Sequence, residues 1–287
     1  MNQQRITKSS LALRSWNKLV RNKLAMIGTI VAIAMILASI FANFITPYSP
    51  SKIDFTNMTK PPSWKHLMGT DKMGRDLFAQ VLYGGRISIY VGVVGAILGS
   101  AVGMILGCIA GWFGGKIDAF LVRLSEIFLT FPNMILVLIL VAFVGQGVNN
   151  LIFIFFITGW MTPFRMLRNE FLSLREETYV EVCKAFGISD LSIMFKHILP
   201  NTISPIMVAT TINIANYILQ EAGLSFLGLG VPITVPTWGN IMNAARSIEV
   251  IRNYWWMWFF PGLVISIFVL AVNFAGDGLR DVLDPNL

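Results

Sequence analysis

The sequence predicts an all-α integral membrane protein with six transmembrane helices. Of its 287 residues 55% are hydrophobic and 13% are charged, and the mean hydropathy is +0.67. An average soluble domain carries roughly 25% charged residues. Uncharged runs of about 20 residues, the length that crosses the hydrocarbon core of a bilayer, recur along the chain. One membrane domain therefore fits the chain better than two soluble domains.

The uncharged runs place the helices. We predict spans at about residues 24–45, 87–112, 201–220 and 254–276, and two further spans within residues 127–164. The segment Gly145-Gln-Gly-Val-Asn-Asn150 supplies the turn between those two. Trp255, Trp256 and Trp258 form an aromatic belt at one membrane interface or pack between helices.

Lysine and arginine set the orientation, because they favour the cytoplasmic side. With both termini in the cytoplasm, 14 of the 22 basic residues lie inside and 8 outside. Loops 113–126 and 165–200 are then cytoplasmic, and loops 46–86, 145–150 and 221–253 are external. The chain divides into a basic tail (1–23), a first helix with its outer loop (24–86), a core transmembrane domain (87–278) and a C-terminal tail (279–287).

The loop at residues 165–200 carries too many charges to lie in lipid. We predict a helix over 176–186, ended by Gly187 in a positive-φ position. Ser189 or Asp190 can cap a second short helix that runs to about Lys196. Apolar side chains on this loop suit either a partner protein or the protein's own helices, and they are Tyr179, Val182, Ala185, Phe186, Ile188, Leu191 and Phe195.

The segment from Glu181 through Gly187 to His197-Ile-Leu-Pro200 resembles the "EAA" coupling loop of permease subunits of ATP-binding-cassette (ABC) importers. The family pattern is Glu-Ala-Ala, three residues, Gly, nine residues, then Ile-x-Leu-Pro. Here Val182 and Cys183 replace the two alanines, and His197 replaces the isoleucine. In the family the bent helix inserts into a cleft on an ATPase, and the glycine permits the bend. The resemblance implies a type I importer permease fold and a coupling role for Glu181, Val182, Cys183, Ala185, Gly187, Ile188, Leu191 and Pro200.

Three further segments resemble the second permease of dipeptide, oligopeptide and nickel importers. They are residues 66–76 followed by 83–88, residues 221–230 followed by 236–240, and residues 276–285. This resemblance implies transport of di- and oligopeptides, with nickel or a metal chelate as the alternative cargo. In the first segment Gly69, Asp71, Gly74 and Asp76 either make turns in a solvated loop or take part in gating or receptor contact.

The resemblance also implies the partners. They are a homologous second permease, two ATPase subunits that hold ATP and Mg, an extracellular or periplasmic substrate-binding protein and the lipid bilayer, with no nucleic acid. The chain itself has no Walker motif, no His-Glu-x-x-His motif and no Ser/His/Asp arrangement. We therefore expect no catalytic site, no bound cofactor and no metal in this chain. The coupling loop argues against an autonomous channel, and the missing catalytic cluster argues against a membrane enzyme.

Polar residues inside the spans are the candidates for a translocation path. Asn213, Asn216 and Gln220 fall at i, i+3 and i+7 on one helical face, with Glu221 at the outer end. They either line a water-filled cavity or hydrogen-bond between helices.

Overall fold

A computed structural model describes residues 22–283 as a bundle of helices. Five helices are long and apolar enough to cross a membrane, and there are six spans if one sharply bent pair counts as a span. Within the described residues the only β-type pairing is an isolated bridge between Thr70 and Asp76. The predicted all-α membrane class is confirmed. The basic tail before residue 22 and the last residues, 284–287, lie outside the described part of the chain.

In chain order the helices are α1 (Lys23–Ile40), α2 (Leu77–Phe113), α3 (Gly115–Thr130), α4 (Asn133–Val144), α5 (Val148–Thr158), α6 (Met161–Leu174), α7 (Thr178–Ala185), α8 (Leu199–Phe226), α9 (Trp238–Met242), α10 (Ile248–Asn253) and α11 (Trp256–Leu283). The shorter segments are Ala42–Ile45, the 3₁₀ turns Phe55–Asn57 and Asn243–Arg246, Asp190–Ser192 and the π-helical turn Ile193–Ile198.

Helix α2 lies at the centre of the bundle and contacts α1, α5, α6 and α8. Glycines on α2 allow the backbones to come close. A Cβ built on Gly103 would lie 2.3 Å from the carbonyl oxygen of Trp160, and one on Gly107 would lie 2.8 Å from that of Phe164. Membrane helices pack through such small residues, because lipid tails supply no hydrophobic drive between helices.

Helix α2 begins at Leu77, whereas the uncharged run predicted about residue 87. The Asp76 carboxylate caps the helix by accepting a hydrogen bond from the Ala79 N–H at 2.7 Å. Arg86, whose charge ended the predicted span, donates to the carbonyl oxygens of Ser39 (2.6 Å) and Ile40 (2.8 Å) at the end of α1. The helix therefore extends beyond the predicted span, because a charged side chain can lie within a helix when it satisfies the terminal carbonyls of a neighbouring helix.

The segment predicted as a cytoplasmic loop at 113–126 is helical and belongs to α3. Helices α3 and α4 form the bent pair that would count as the third span, and they are bent by 90° relative to each other. The bend falls at Phe131 and Pro132, because proline disfavours helical backbone at the preceding residue, and Phe131 is extended (φ −91°, ψ 137°). The glycine turn after α4 is confirmed, and Asn150 Nδ2 donates to the Val144 carbonyl oxygen at 3.1 Å there.

Helix α6 continues to Leu174, past the arginines that were expected to end the fourth span. The Arg168 guanidinium pairs with the Asp118 carboxylate of α3 through two hydrogen bonds. This ion pair compensates both charges, so the helix extends through Arg165 and Arg168. An uncharged-run rule cannot anticipate such a pair, because its members lie 50 positions apart in the chain.

The fifth and sixth spans are both longer than predicted. Residues 190–226 are one helical stretch, since the π-helical turn joins the short helix at Asp190 directly to α8. The predicted separation near residues 197–200 was therefore wrong. Helix α8 ends at Phe226, which places Glu221 inside the helix, whereas we expected it at the helix end. Helix α11 runs to Leu283, beyond the predicted end at about residue 276, and carries Arg280 in its last turn.

Candidate functional site

The segment between α6 and α8 has a buried inner side that anchors it to the bundle. Val180, Ile193, Met194 and Ile198 are each at most 1% exposed. They pack in one apolar cluster against side chains of α2 and α6, which are Cys108, Trp112, Leu167 and Phe171. The Lys184 Nζ also lies 4.9 Å from the centre of the Trp112 ring, a cation–π contact between α7 and α2.

The bend in this segment is a Schellman motif centred on Gly187. The Ile188 N–H donates to the Cys183 carbonyl oxygen at 3.1 Å, and the Gly187 N–H donates to the Lys184 carbonyl oxygen at 2.9 Å. Gly187 has φ +71°, so the predicted positive φ is confirmed. A Cβ at this position would meet no atom within 4 Å. The glycine is required by the backbone conformation and not by a lack of space.

The outer side of the segment exposes large apolar side chains. Phe186 is 82% exposed, Leu191 63%, Phe195 49% and Val182 47%. We call these four residues the coupling face. Of the other residues assigned to coupling by the resemblance, Glu181, Ala185, Gly187 and Pro200 are exposed, and Cys183 and Ile188 are half-buried against the anchoring cluster.

A cleft of about 880 Å³ with both polar and apolar lining residues lies beside this segment, between α6, α8 and the end of α11. We call residues 175–200 the coupling segment. Asn213 lines the cleft, as does Pro200 at the end of the coupling segment, so the cleft adjoins that segment directly. Sequence reasoning missed two of its charged residues, Glu170 and Arg280. Their positions next to apolar spans had marked them only as loop charges. The complete lining is Thr162, Met166, Glu170, Pro200, Asn201, Ile203, Ser204, Pro205, Val208, Ala209, Ile212, Asn213 and Arg280.

The other candidate path residues do not share this cleft. Asn216 is exposed elsewhere on α8. Gln220 is half-buried, and its Oε1 is buried with no hydrogen-bond partner among residues 22–283. The four candidates therefore do not form one continuous polar lining within this chain.

Glu221 is completely buried and lies in a hydrogen-bonded network that links three elements. Its two carboxylate oxygens accept hydrogen bonds from Ser88 Oγ of α2 (2.7 Å) and Ser225 Oγ of α8 (2.8 Å). The Ser88 Oγ accepts from the Trp238 N–H of α9 at 3.1 Å, and the Ser225 Oγ accepts from the Val231 N–H at 3.2 Å. Glu221 therefore joins helices to one another in this structure and faces no open path.

The polar residues His66, Asp71 and Asp76 of the motif at residues 66–76 are buried, whereas Leu67, Lys72 and Met73 are exposed. Asp76 accepts a hydrogen bond from the Ala79 N–H with one oxygen, and its other oxygen lies 2.8 Å from His66 Nδ1. Asp71 accepts from the Met73 and Arg75 N–H groups at 2.8 and 2.9 Å. These aspartates make turns and a helix cap, as one of the two readings of the motif proposed.

Within the chain between α1 and α2, Gly74 packs directly against the backbone of Asp54. Gly74 has φ +72°, and a Cβ on it would lie 1.8 Å from the Asp54 carbonyl oxygen. The Asp54 carboxylate accepts hydrogen bonds from the side chains of Thr56 and Asn57 and from the Thr56 N–H, and these bonds lower the pKa of the carboxyl to about 2. We call residues 54–76 the outer segment.

The outer segment also contacts Trp256, the first residue of α11. Trp256 is buried and donates its Nε1–H to the Thr70 carbonyl oxygen at 3.1 Å. Trp258 is half-buried, and Trp255 is 48% exposed. Trp256 thus packs between elements, whereas Trp255 has the exposure expected of an interfacial residue.

Among residues 22–283, no three His, Cys, Asp or Glu side chains group closely enough to hold a metal ion. The charged and polar groups of the cleft and the exposed coupling face are the features with which this part of the chain can meet a ligand or a partner.

The helical bundle defines a multi-pass membrane protein with a bent segment between its spans. A family described as "Binding-protein-dependent transport system inner membrane component" matches residues 103–287. A second, described as the N-terminal transmembrane domain of oligopeptide transport permease C, matches residues 10–62. The chain therefore belongs to the inner membrane components of binding-protein-dependent transport systems, the permeases of ABC transporters.

Relatives and a solved structure agree with this assignment. The oligopeptide transport system permease protein OppC of Bacillus subtilis is 38% identical over 288 residues, which cover 99% of this chain and 93% of the relative. The dipeptide transport system permease protein DppC of the same organism is 36% identical over 273 residues, which cover 95% and 85%. A chain of the MetNI methionine ABC transporter in an inward-facing conformation superimposes with a TM-score of 0.59 at 18% identity, covering 71% of this chain and 96% of that one. This last likeness shows the shared fold.

Proposed function

We propose that this chain is one of two homologous permease subunits of an ABC importer that carries di- and oligopeptides across the cell membrane. Two relatives that align over most of their length are named for dipeptide and oligopeptide transport, which supports the peptide class. Two ATPase subunits would hold the ATP and Mg, and an extracellular or periplasmic binding protein would deliver the cargo. This chain would supply the path and the coupling, without a catalytic group of its own.

The coupling face is the observation that carries the proposal. Its four apolar side chains are exposed although the segment already has its own buried anchor. A contiguous exposed apolar surface of this kind typically marks a protein interface. We infer that the coupling face docks into a cleft on one ATPase subunit. Both termini are then cytoplasmic, in agreement with the excess of basic residues on that side of the predicted topology.

The connection between the coupling face and the membrane suits mechanical transmission. The helical stretch at residues 190–226 runs without interruption from the coupling segment into the fifth span. Pro200 belongs to both the coupling segment and the lining of the cleft. Closure of the two ATPases on ATP would draw the two coupling segments together and rock the helices between inward-facing and outward-facing arrangements, as rigid-body switching requires.

Docking can be tested at Phe186, the most exposed residue of the coupling face. Phe186→Asp places a charge in the proposed interface without disturbing a buried contact, so the ATPase should no longer co-purify with the permease. Trp64→Asp is the matched control, because Trp64 is 99% exposed in the outer segment, away from the coupling face. Retention of the ATPase by Phe186→Asp, with equal membrane levels of both variants, would refute this docking mode.

Cargo and coupling can be tested together by uptake in cells that lack this chain. Wild type should restore uptake of labelled di- and oligopeptides. Gly187→Val should abolish it, since a β-branched residue is strained at φ +71°, whereas Gly187→Asn should retain most of it, since asparagine tolerates this conformation. Restoration of nickel uptake alone would replace the peptide assignment with the metal or metal-chelate alternative. Equal uptake by the valine and asparagine variants would show that the Gly187 bend is not needed for coupling.

A further inference from the structure

Two residues of opposite charge, Glu170 of α6 and Arg280 of α11, line the same cleft beside α8. Neither forms an ion pair with the other or with another residue in the range 22–283, so their charged N and O atoms lie more than 4.0 Å apart. Glu170 is half-buried and Arg280 is exposed, so both charged groups are accessible from the cleft. The cleft therefore offers one anionic and one cationic contact that no described residue uses.

Neutral hydrogen-bonding side chains line the same cleft. Asn201, Ser204 and Asn213 contribute amide and hydroxyl groups, which can donate to or accept from a peptide backbone. The volume of about 880 Å³ falls in the range of roughly 300–1,000 Å³ that small-molecule sites occupy. A short peptide fits these dimensions, and its two ends carry the charges that complement Glu170 and Arg280.

We propose that the cleft is a binding site for short peptides with free ends, in which Arg280 contacts the carboxylate and Glu170 contacts the α-ammonium group. The proposal rests on the peptide-importer function above and states that this chain recognises the two charged ends of the peptide. Arginine suits the carboxylate because its planar guanidinium can form two parallel hydrogen bonds with it. The side-chain positions of the peptide meet mainly apolar and small neutral residues, which permits many sequences.

The two charges make separate predictions for the two ends of the cargo. We would purify the complete complex of both permeases and both ATPases without the binding protein, so that terminal recognition by the binding protein cannot contribute. Wild type should bind labelled alanyl-phenylalanine more tightly than its N-acetylated or C-amidated forms. In Glu170→Gln the free peptide and its N-acetylated form should bind equally, while the C-amidated form still binds more weakly. In Arg280→Gln the free peptide and its C-amidated form should bind equally, while the N-acetylated form still binds more weakly. Each preference should amount to about two- to fivefold in Kd, the range of partly exposed ion pairs.

Matched controls are Arg123→Gln and Glu126→Gln, which remove an exposed ion pair of α3 that does not line the cleft. These variants should keep both end preferences. The proposal fails if Glu170→Gln and Arg280→Gln weaken all three ligands equally, or if they impair assembly with the second permease while the end preferences persist. If the complex binds no peptide alone but transports peptides once its binding protein is added, only the cleft site is refuted. If it transports no peptide with the binding protein present, the peptide-importer function itself is refuted.

Phosphatidylethanolamine carries the same pair of charges, an ammonium and an anionic group, and could reach the cleft from the bilayer. The titrations should therefore be run in nanodiscs with and without this lipid. Peptide binding with end preferences in both kinds of disc supports the peptide assignment. Binding that vanishes when the lipid is added, together with loss of bound lipid in Glu170→Gln and Arg280→Gln, would overturn it in favour of a lipid site.

Discussion

The outer segment and the coupling segment each turn at a glycine with almost the same backbone conformation, yet their surroundings are opposite. Gly74 has φ +72° and Gly187 has φ +71°. A Cβ on Gly74 would collide with the Asp54 carbonyl oxygen at 1.8 Å, whereas one on Gly187 would meet nothing within 4 Å. The turn at Gly74 packs tightly against its own segment, whereas the turn at Gly187 lies next to an exposed surface.

The side chains around the two turns differ in the same way. In the outer segment, His66, Asp71 and Asp76 are at most 9% exposed and hydrogen-bond within the chain. In the coupling segment the apolar residues Phe186 and Leu191 are more than half exposed. Buried polar groups with internal partners stabilise one conformation, whereas exposed apolar groups gain only when a partner covers them. The two motifs, which both carry the resemblance to the importer permeases, therefore have different physical roles.

The largest difference should come from substituting the two glycines identically. Gly74→Ala combines an unfavourable φ with a backbone collision and should lower the free energy of unfolding by about 3 kcal/mol or more. Gly187→Ala should cost only about 1 kcal/mol, and only locally, because the strained φ is its sole penalty. Thermal unfolding and membrane yield of the two variants would measure this. Equal losses would show that packing around Gly74 matters less than the geometry indicates.

The next largest effect should be at Glu221. Glu221→Ala removes the acceptor for two buried hydroxyls, those of Ser88 and Ser225, and should destabilise the protein by about 2–4 kcal/mol. Glu221→Gln keeps one acceptor oxygen and should cost clearly less. Glu181→Ala, at an exposed position of the coupling segment, is the control and should leave the unfolding temperature unchanged. A similar small shift for all three variants would contradict the structural role of Glu221.

A moderate effect should come from the Arg168–Asp118 ion pair, whose side chains are 23% and 16% exposed. A double-mutant cycle with Arg168→Met and Asp118→Asn should give a coupling energy of about 1–2 kcal/mol in thermal unfolding. The reason is that each single change leaves a partly buried charge without its partner. Strictly additive effects would indicate that the pair does not hold α3 against α6.

The smallest effect should be at the Lys72–Glu249 pair of the outer surface, where both side chains are about half exposed. Lys72→Ala should change stability by less than about 0.5 kcal/mol, and raising the salt concentration should remove even that difference. Unfolding temperatures at low and high ionic strength would check this. A loss as large as that of the Arg168 variant would mean that exposure is a poor guide to the strength of ion pairs in this protein.

Several features were predictable because they depend on local sequence. The long apolar runs predicted membrane helices, and the glycine-rich turn after α4 was identified correctly. The predicted helix that stops before Gly187 is present as Thr178–Ala185. Helix boundaries near charges were not predictable. Arg86 and Arg168 lie inside helices because their charges are satisfied by groups far away in the chain, the end of α1 and Asp118.

The candidate site shows the same division. The exposure of the coupling segment followed from its charge density and its apolar residues, but its anchoring cluster depends on α2 and α6. Periodicity placed Asn213, Asn216 and Gln220 on one helical face, yet only Asn213 reaches the cleft. Glu170 and Arg280 escaped notice because nothing in the sequence brings α6 and α11 to one cleft.

The sequence by itself determined that this chain is a multi-helix membrane protein with a bent segment that exposes apolar side chains. The reason is that hydropathy, charge density and a glycine that ends a helix are properties of a few neighbouring residues. Only the tertiary structure decided that Glu221 links helices internally, that His66, Asp71 and Asp76 are buried, and that two opposite charges line one cleft. These properties depend on contacts between distant segments, and a single residue type does not reveal whether such a contact will satisfy it.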